Sequence, residues 1–229
     1  MKQNKKTCDL QSCVLCRQCL KDWLPAVDSN RKSFHFNKGE LLFREGDNME
    51  GMYFINTGLV KVHKKWSDDK ELILRLAKNG DIVGHRGLGS DTIYPVSGTA
   101  LEPTNVCYVD LDFFNSTLKV NPDFLYQLMM FFAAELKESE KRMRNLAHMT
   151  VKGRIANSLL FLKQKFGTAS DGHINVLLSR QDLASYAGTT YETLFRAMNE
   201  LVEENAIKMD GKRIVILQDN ALSDYTNIQ

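Results

Sequence analysis

Nowhere in this 229-residue chain is there an apolar run of the ~20 residues that a membrane-spanning helix needs. The first residues are rich in lysine, but they lack the apolar core and small-residue cleavage site of a signal peptide. A cytoplasmic protein with no membrane partner is the expectation. Enzyme signatures are missing too. There is no Walker-type glycine loop, no His-Glu-x-x-His zinc motif, no nucleophile–base pair and no carboxylate dyad, so no catalytic residue is assigned. Internal repeats and low-complexity tracts are absent. Nor is one sign of charge in excess. The net charge is +2, and from His148 onward nine Lys/Arg face nine Asp/Glu. Bulk charge therefore gives nucleic-acid binding no support, which must come from the placement of single cations.

What is present falls into four parts. With 43% hydrophobic and 25% charged residues, the chain suits one large or two small domains. Residues 1–20 form a polar, cysteine-rich arm without apolar periodicity. Residues 21–118 contain short β-like runs, among them Glu40-Leu-Leu-Phe-Arg, Met52-Tyr-Phe-Ile, Leu59-Val-Lys-Val-His and Glu71-Leu-Ile-Leu-Arg-Leu. Gly39, Gly46, Gly58, Gly80, Gly84 and Gly87 punctuate them, a pattern of antiparallel barrels and sandwiches. Residues 119–150 read as one long helix, with Asn121 as N-cap, Pro122 at the first helical position and Asp123 in the first turn. Its seam of Leu125, Met129, Phe132, Leu136, Ser139, Met143 and Leu146 alternates steps of four and three, the heptad of a parallel two-helix interface. Residues 151–229 begin with an amphipathic helix marked by Ile155, Leu159, Leu162 and Phe166. The fold class is α+β.

The last part carries the sharpest motif. Ser179-Arg180-Gln181-Asp182 resembles a capping box, Leu183, Ala184 and Ala187 give a short apolar face, and Gly188 suits a sharp helix stop. A new cap at Thr189 or Thr190 starts a second helix with Leu194, Met198, Leu201 and Val202 at helical spacing. Two helices joined by a glycine turn form a helix-turn-helix. A helical hairpin that only packs would share this pattern. However, Ile207-Lys208-Met209, Asp210-Gly211 and Lys212-Arg213-Ile214-Val215-Ile216 follow as strand, turn and strand, the wing of a winged helix-turn-helix. In a major groove, Arg196 can fork onto guanine O6 and N7 and Glu192 can accept from cytosine N4. Thr190, Tyr191 and Phe195 share the helix start and face, and Phe195 can press on a thymine methyl. Ser179 and Arg180 would hold phosphate at the first helix, as would Lys212 and Arg213 through the wing. A dimer of such units reads a palindromic operator.

Five cysteines complete the inventory. Cys8, Cys13, Cys16 and Cys19 share a twelve-residue window, and Cys107 stands alone in the strand-like Asn105-Val-Cys-Tyr-Val. Such spacing in a cytosolic chain favours metal over disulfides. Cys13-x2-Cys16-x2-Cys19 suits an iron–sulfur cluster, while zinc would also accept the arm's four thiolates. An iron–sulfur electron-transfer protein is the rival reading from another functional class.

The ordered landmarks Lys38-Gly39-Glu-Leu-Leu-Phe, Gly46-Asp47, Tyr53-Phe-Ile-Asn-Thr-Gly58, Gly80-Asp81-Ile-Val-Gly84, Leu178-Ser-Arg-Gln-Asp-Leu-Ala, Glu192-Thr193 and Arg196 resemble the family of the cAMP receptor protein and the fumarate–nitrate reductase regulator, over nearly the whole chain. The resemblance implies an N-terminal β-roll (a cyclic-nucleotide-binding-like jelly roll), a long dimerisation helix and a C-terminal winged helix-turn-helix. It implies a transcriptional regulator with RNA polymerase as partner. In cAMP-binding members a Glu holds the ribose and an Arg-Ser pair the cyclic phosphate. Those positions fall here at His85 and in Tyr94-Pro95-Val96, so cAMP is not expected, nor is haem on His85. The oxygen-sensing branch holds a four-iron, four-sulfur cluster with three arm cysteines and one distant β-roll cysteine. That implies Cys13, Cys16, Cys19 and Cys107 as ligands, with Cys8 as the alternative. The arm spacing departs from the best-known pattern of that branch. Tyr191 and Phe195 depart from both branches, so the outer operator bases do not follow from either. A regulator of the same type without a cluster, answering another small effector, is the alternative.

Overall fold

Residues 2–3, 13–67 and 70–226 are described by the computed structural model; Cys8 lies outside them. The chain forms two compact units, Met1–Glu135 and Leu136–Gln229. Among the described residues no helix is long and apolar enough to cross a membrane.

In the first unit, β1 (Lys2–Gln3), β2 (Lys32–Phe36), β4 (Gly51–Thr57), β7 (Ile82–Val83) and β9 (Thr104–Asp110) make a five-stranded sheet in the order β1-β2-β9-β4-β7. β3 (Leu41–Phe43), β5 (Leu59–Ser67), β6 (Lys70–Lys78) and β8 (Ser97–Ala100) make a four-stranded sheet in the order β3-β8-β5-β6. All pairings are antiparallel. Alternation on the strands explains the core: β5 turns Val60 and Val62 inward, and β2 does the same with Phe34 and Phe36. Phe54, Phe114 and Phe124 extend this core towards the helices.

Three helices here were not legible in the sequence. α1 (Val14–Gln18) lies where an aperiodic arm was expected, α2 (Leu24–Asn30) opens the segment expected to be β-roll, and α3 (Leu111–Val120) follows β9 directly. The arm hides its pattern because its apolar groups are partly thiols. Leu15, Cys16 and Cys19 recur at helical spacing and are all buried. α3 starts on Asp110, whose carboxylate accepts the Phe113 N–H at 2.8 Å.

α4 (Pro122–His148) runs through the boundary between the units. Its residues form two seams. Phe124 and Leu128 are buried in the first unit, and Asn145 is buried in the second. The other seam is the one expected for pairing: Leu125, Met129, Leu136 and Met143 are 49–65% exposed, and Phe132, Ser139 and Leu146 are exposed as well.

Asn121 stands at the expected N-cap position of α4, its carbonyl accepting the Leu125 N–H at 3.0 Å, but its side chain is used elsewhere. It is 1% exposed. Its Oδ1 accepts the Leu20 N–H at 2.6 Å, and its amide donates to Thr117 O at 2.7 Å. The side chain thus ties the end of the cysteine arm to the α3–α4 junction, 101 residues away in sequence. Trp23 adds a second tie, donating from its indole to the Thr117 hydroxyl at 3.1 Å. Asn121→Ala would strand part-buried polar groups, and a loss of about 1–3 kcal/mol is expected, read as a lower urea midpoint. An unchanged midpoint would show that the tie is idle.

In the second unit, α5 (Val151–Phe166) is capped by Thr150, whose hydroxyl accepts the Gly153 N–H at 3.1 Å. It packs Ile155, Leu159 and Leu162 inward. α6 (Arg180–Ala187), α7 (Tyr191–Glu203), the hairpin of β10 (Ile207–Asp210) and β11 (Arg213–Ile216), and the short α8 (Asp219–Asp224) complete it. Asp210 pairs with Arg213, so the two-residue turn is Gly211-Lys212, one position beyond the expected Asp210-Gly211. Gly211, at φ 55°, takes the first central position, which needs positive φ in mirror-image hairpin turns.

Candidate nucleic-acid interface and effector site

The helix-turn-helix is fixed by local caps. Ser179 Oγ accepts the Asp182 N–H at 3.0 Å and donates to the Asp182 carboxylate. Gly188 ends α6 in the left-handed conformation, φ 65° and ψ 47°, which costs a glycine little. Thr190 rather than Thr189 caps α7, accepting the Thr193 N–H at 3.3 Å. Arg154 secures the turn from α5. Its guanidinium donates to Ala187 O and Gly188 O, each at 3.1 Å, and to Met149 O at 3.0 Å. A cation is thereby placed on the carbonyl-rich end of α6.

α7 is two-faced. Leu194, Ala197, Met198 and Leu201 are buried, while Thr190, Tyr191, Glu192, Phe195 and Arg196 are exposed. The Tyr191 and Phe195 rings stack with centroids 6.4 Å apart, leaving two apolar surfaces in water beside the Glu192–Arg196 pair. Glu192 has a lowered pKa because its carboxylate takes hydrogen bonds from its own backbone N–H and from Thr190, with Arg196 adding attraction. In the DNA-free protein it is therefore held at the positive start of α7.

Lys212 and Arg213 are exposed on the hairpin. Arg213 lies 3.5 Å from Asp171, an exposed pair of little energetic weight. Ser179 and Arg180, expected at phosphate, are half-buried and engaged within the fold. Arg180 donates to Gly211 O at 2.7 Å and touches the Met209 sulfur at 3.2 Å, bracing the hairpin turn against α6. A tie of this kind joins distant segments, so spacing along the chain could not reveal it.

The cysteines lie in the first unit. Cys13 precedes α1, Cys16 is on it and Cys19 ends it. Cys107 sits mid-strand on β9, opposite Ser33 and Phe54. Cys13, Cys16 and Cys19 are 2%, 4% and 9% exposed, Cys107 is 0% exposed, and all four belong to one hydrophobic cluster. Burial, and then the neighbouring Cys13, push the Cys19 thiol up to about 11. Thiolate is the form a metal group binds, so Cys19 would have to lose its proton to such a group against its burial. Among the described residues, no three His, Cys, Asp or Glu side chains converge closely enough to hold a metal ion.

The positions compared above with a nucleotide site are buried. His85 is 2% exposed and Tyr94 and Val96 are 4% exposed each. Tyr94 donates to Gly51 O at 3.0 Å and stacks on Phe43 with centroids 4.6 Å apart.

Comparison with known proteins places both units. Residues 33–121 match the cyclic nucleotide-binding domain family, and residues 153–225 match the Crp-like helix-turn-helix domain. The anaerobic regulatory protein of Bacillus subtilis is 30% identical over 201 residues, covering 86% of this chain and 83% of that protein. The chain belongs to the Crp/Fnr family. It is a DNA-binding transcriptional regulator of that family, and the relatives it matches are regulators rather than enzymes. The transcriptional activator protein anr of Pseudomonas aeruginosa is 27% identical over 215 residues, covering 90% of this chain and 88% of that protein. FixK2 from Bradyrhizobium japonicum superposes with a TM-score of 0.77 at 26% identity, covering 87% of this chain and 98% of FixK2. Anaerobic regulators among the relatives are consistent with an FNR-like branch.

Proposed function

We propose that the protein acts in the cytoplasm as a homodimer that reads a palindromic operator through α7 and answers oxygen or redox state through a cysteine-ligated iron–sulfur cluster. In this reading residues 1–20 are the effector arm and 21–118 the β-roll sensor. Residues 119–150 form the dimerisation helix, and 151–229 the DNA-binding domain that works with RNA polymerase. The observation that carries it is the outward face of α7. Two large aromatics and a Glu–Arg pair stand exposed on a helix whose other face is fully buried, an arrangement suited to a major groove.

Arg196 forks onto guanine. Glu192 leaves its hydrogen bonds at the helix start to accept from cytosine, and Tyr191, Phe195 and Thr190 pack against neighbouring bases and sugar. Lys212 and Arg213 approach phosphate from the hairpin. Ser179 and Arg180 contribute by holding α6 and the hairpin turn in register, with phosphate contact following rearrangement of Arg180. Arg196→Ala is expected to cost about 1–3 kcal/mol at a single guanine–cytosine pair. Binding to an operator panel with every position changed in turn measures it. Equal weakening on every sequence would instead make Arg196 a phosphate contact.

For the effector, Cys13, Cys16, Cys19 and Cys107 would hold a four-iron, four-sulfur group, with Cys8 able to replace an arm ligand. Bound there, the group supplies an oxygen-labile cross-link between arm and sheet. The chain's own part is to keep four thiols dry in one core and to join the arm to α4 through Leu20 and Asn121. The absence of three converging donors among the described residues favours a second reading, a family regulator that answers another small effector. A cyclic nucleotide is not the effector proposed in either reading, because Tyr94-Pro95-Val96 stands where an Arg-Ser pair would supply donors to the phosphate.

A further inference from the structure

A half-buried charge cluster in the first unit is used by neither the DNA face nor the cysteines. Glu135 of α4 reaches two arginines from the sheets. Arg75 Nε of β6 lies 3.2 Å from its Oε1, and Arg86 Nη2, from the turn after β7, lies 3.1 Å from its Oε2. His85 Nε2 is 3.8 Å from the same oxygen. Arg75 is 9% exposed and is itself oriented, donating to Ile82 O at 2.8 Å and pairing with Asp81 at 3.1 Å. Phe131 lies under its guanidinium at 5.1 Å, and Phe131 and Phe132 meet the His85 ring edge-on. Burial would raise the pKa of Glu135, but His85, Arg75 and Arg86 outweigh it and hold the carboxyl down to about 2. The carboxylate is therefore ionised at any physiological pH. Burial also lowers the pKa of His85, which leaves it neutral.

Two arginine forks converging on one carboxylate, in a site walled by phenylalanine, is how a protein binds an anionic ligand. Here the anion is covalently part of the protein. We propose that Arg75 and Arg86 form an anion-binding site whose occupant is the chain's own Glu135 carboxylate, an internal ligand that fastens α4 to the sheets in place of a small-molecule anion. Its place in the helix gives the fastening a consequence. Glu135 continues the inward row of Phe124, Leu128 and Phe131, so fixing it sets the rotation of α4 that turns Leu125, Met129, Phe132 and Leu136 outward. This last consequence rests on the dimer reading; the anion site itself does not.

The test uses the full-length protein carrying Met143→Glu, so that melting is read without regard to dimerisation. In that background Glu135→Ala is expected to lower the melting temperature by about 10 °C in chloride buffer. Acetate or formate at the same ionic strength is expected to restore at least half of the loss. No such gain is expected with Glu135 intact, or when Arg75→Met is added. Glu135→Gln keeps the side chain's size and guards against a failure to fold. It should melt lower than the parent and gain nothing from acetate, since its amide still fills the site. Melting of Glu135→Ala or Glu135→Gln at the parent temperature would overturn the proposal. So would an acetate gain equal in all variants.

Discussion

A single glutamate at Met143 is expected to turn dimers into monomers and to weaken operator binding at least about 100-fold, an effect of about 2.8 kcal/mol or more. Met143 is 65% exposed in the single chain, so the substitution costs the protomer's own stability little. In a parallel pair its position meets its own copy, and symmetry brings two carboxylates together in a closing apolar seam. Desolvating an unpaired carboxylate costs several kcal/mol, and each dimer carries two. The seam offers little to offset this. Its large side chains are already about half-covered, so each gains on the order of 1 kcal/mol on pairing. Leu136→Glu, at a position 61% exposed, should behave alike. Sedimentation equilibrium together with operator titration measures both effects. A Met143→Glu protein that stays dimeric would remove α4 as the interface.

Local signals made the second unit legible. Ser179, Gly188 and Thr190 act within three or four residues of themselves, so their cap roles could be read from sequence and reappear as hydrogen bonds and a left-handed glycine. The hairpin was legible to one residue, and its register was settled by the Asp210–Arg213 pairing rather than by the dipeptide. The glycine-punctuated runs marked four strands, but not that they divide between two sheets, since pairing such as β2 with β9 joins residues some seventy apart. The side-chain partners of Asn121, Arg180 and Glu135 were not legible for one shared reason. Each residue has partners far away in the chain, and each looks in sequence like an ordinary cap or surface charge. The cysteines were legible as a group, but the burial of Cys13, Cys16 and Cys19 in the same core as Cys107 was not. Nor were their mutual distances.

The second large effect concerns that group. Holding the proposed cluster would require four buried thiols to give up their protons together, against the burial that raises the pKa of Cys19. Losing it would return the thiols to the core and free the arm to relax. Cys19 is followed by Leu20, whose backbone N–H is held by Asn121, the residue directly before α4. In the proposed reading, a change in the arm would reach α4 through one hydrogen bond and two peptide units. Coupling of this kind is worth about 1–3 kcal/mol, or roughly 5–150-fold in affinity. If Cys107 is the ligand on the sheet, as proposed, Cys107→Ser should abolish it and leave a protein indifferent to oxygen.

The most direct measurement is operator affinity of one preparation, reconstituted with iron and sulfide under nitrogen, titrated before and after exposure to air, with iron and sulfide content determined for both samples. The account predicts four iron and four sulfide per protomer under nitrogen, loss of both in air, and operator binding at least about tenfold weaker after that loss. Equal affinity in the two samples, with the cluster present in one and gone from the other, would contradict it.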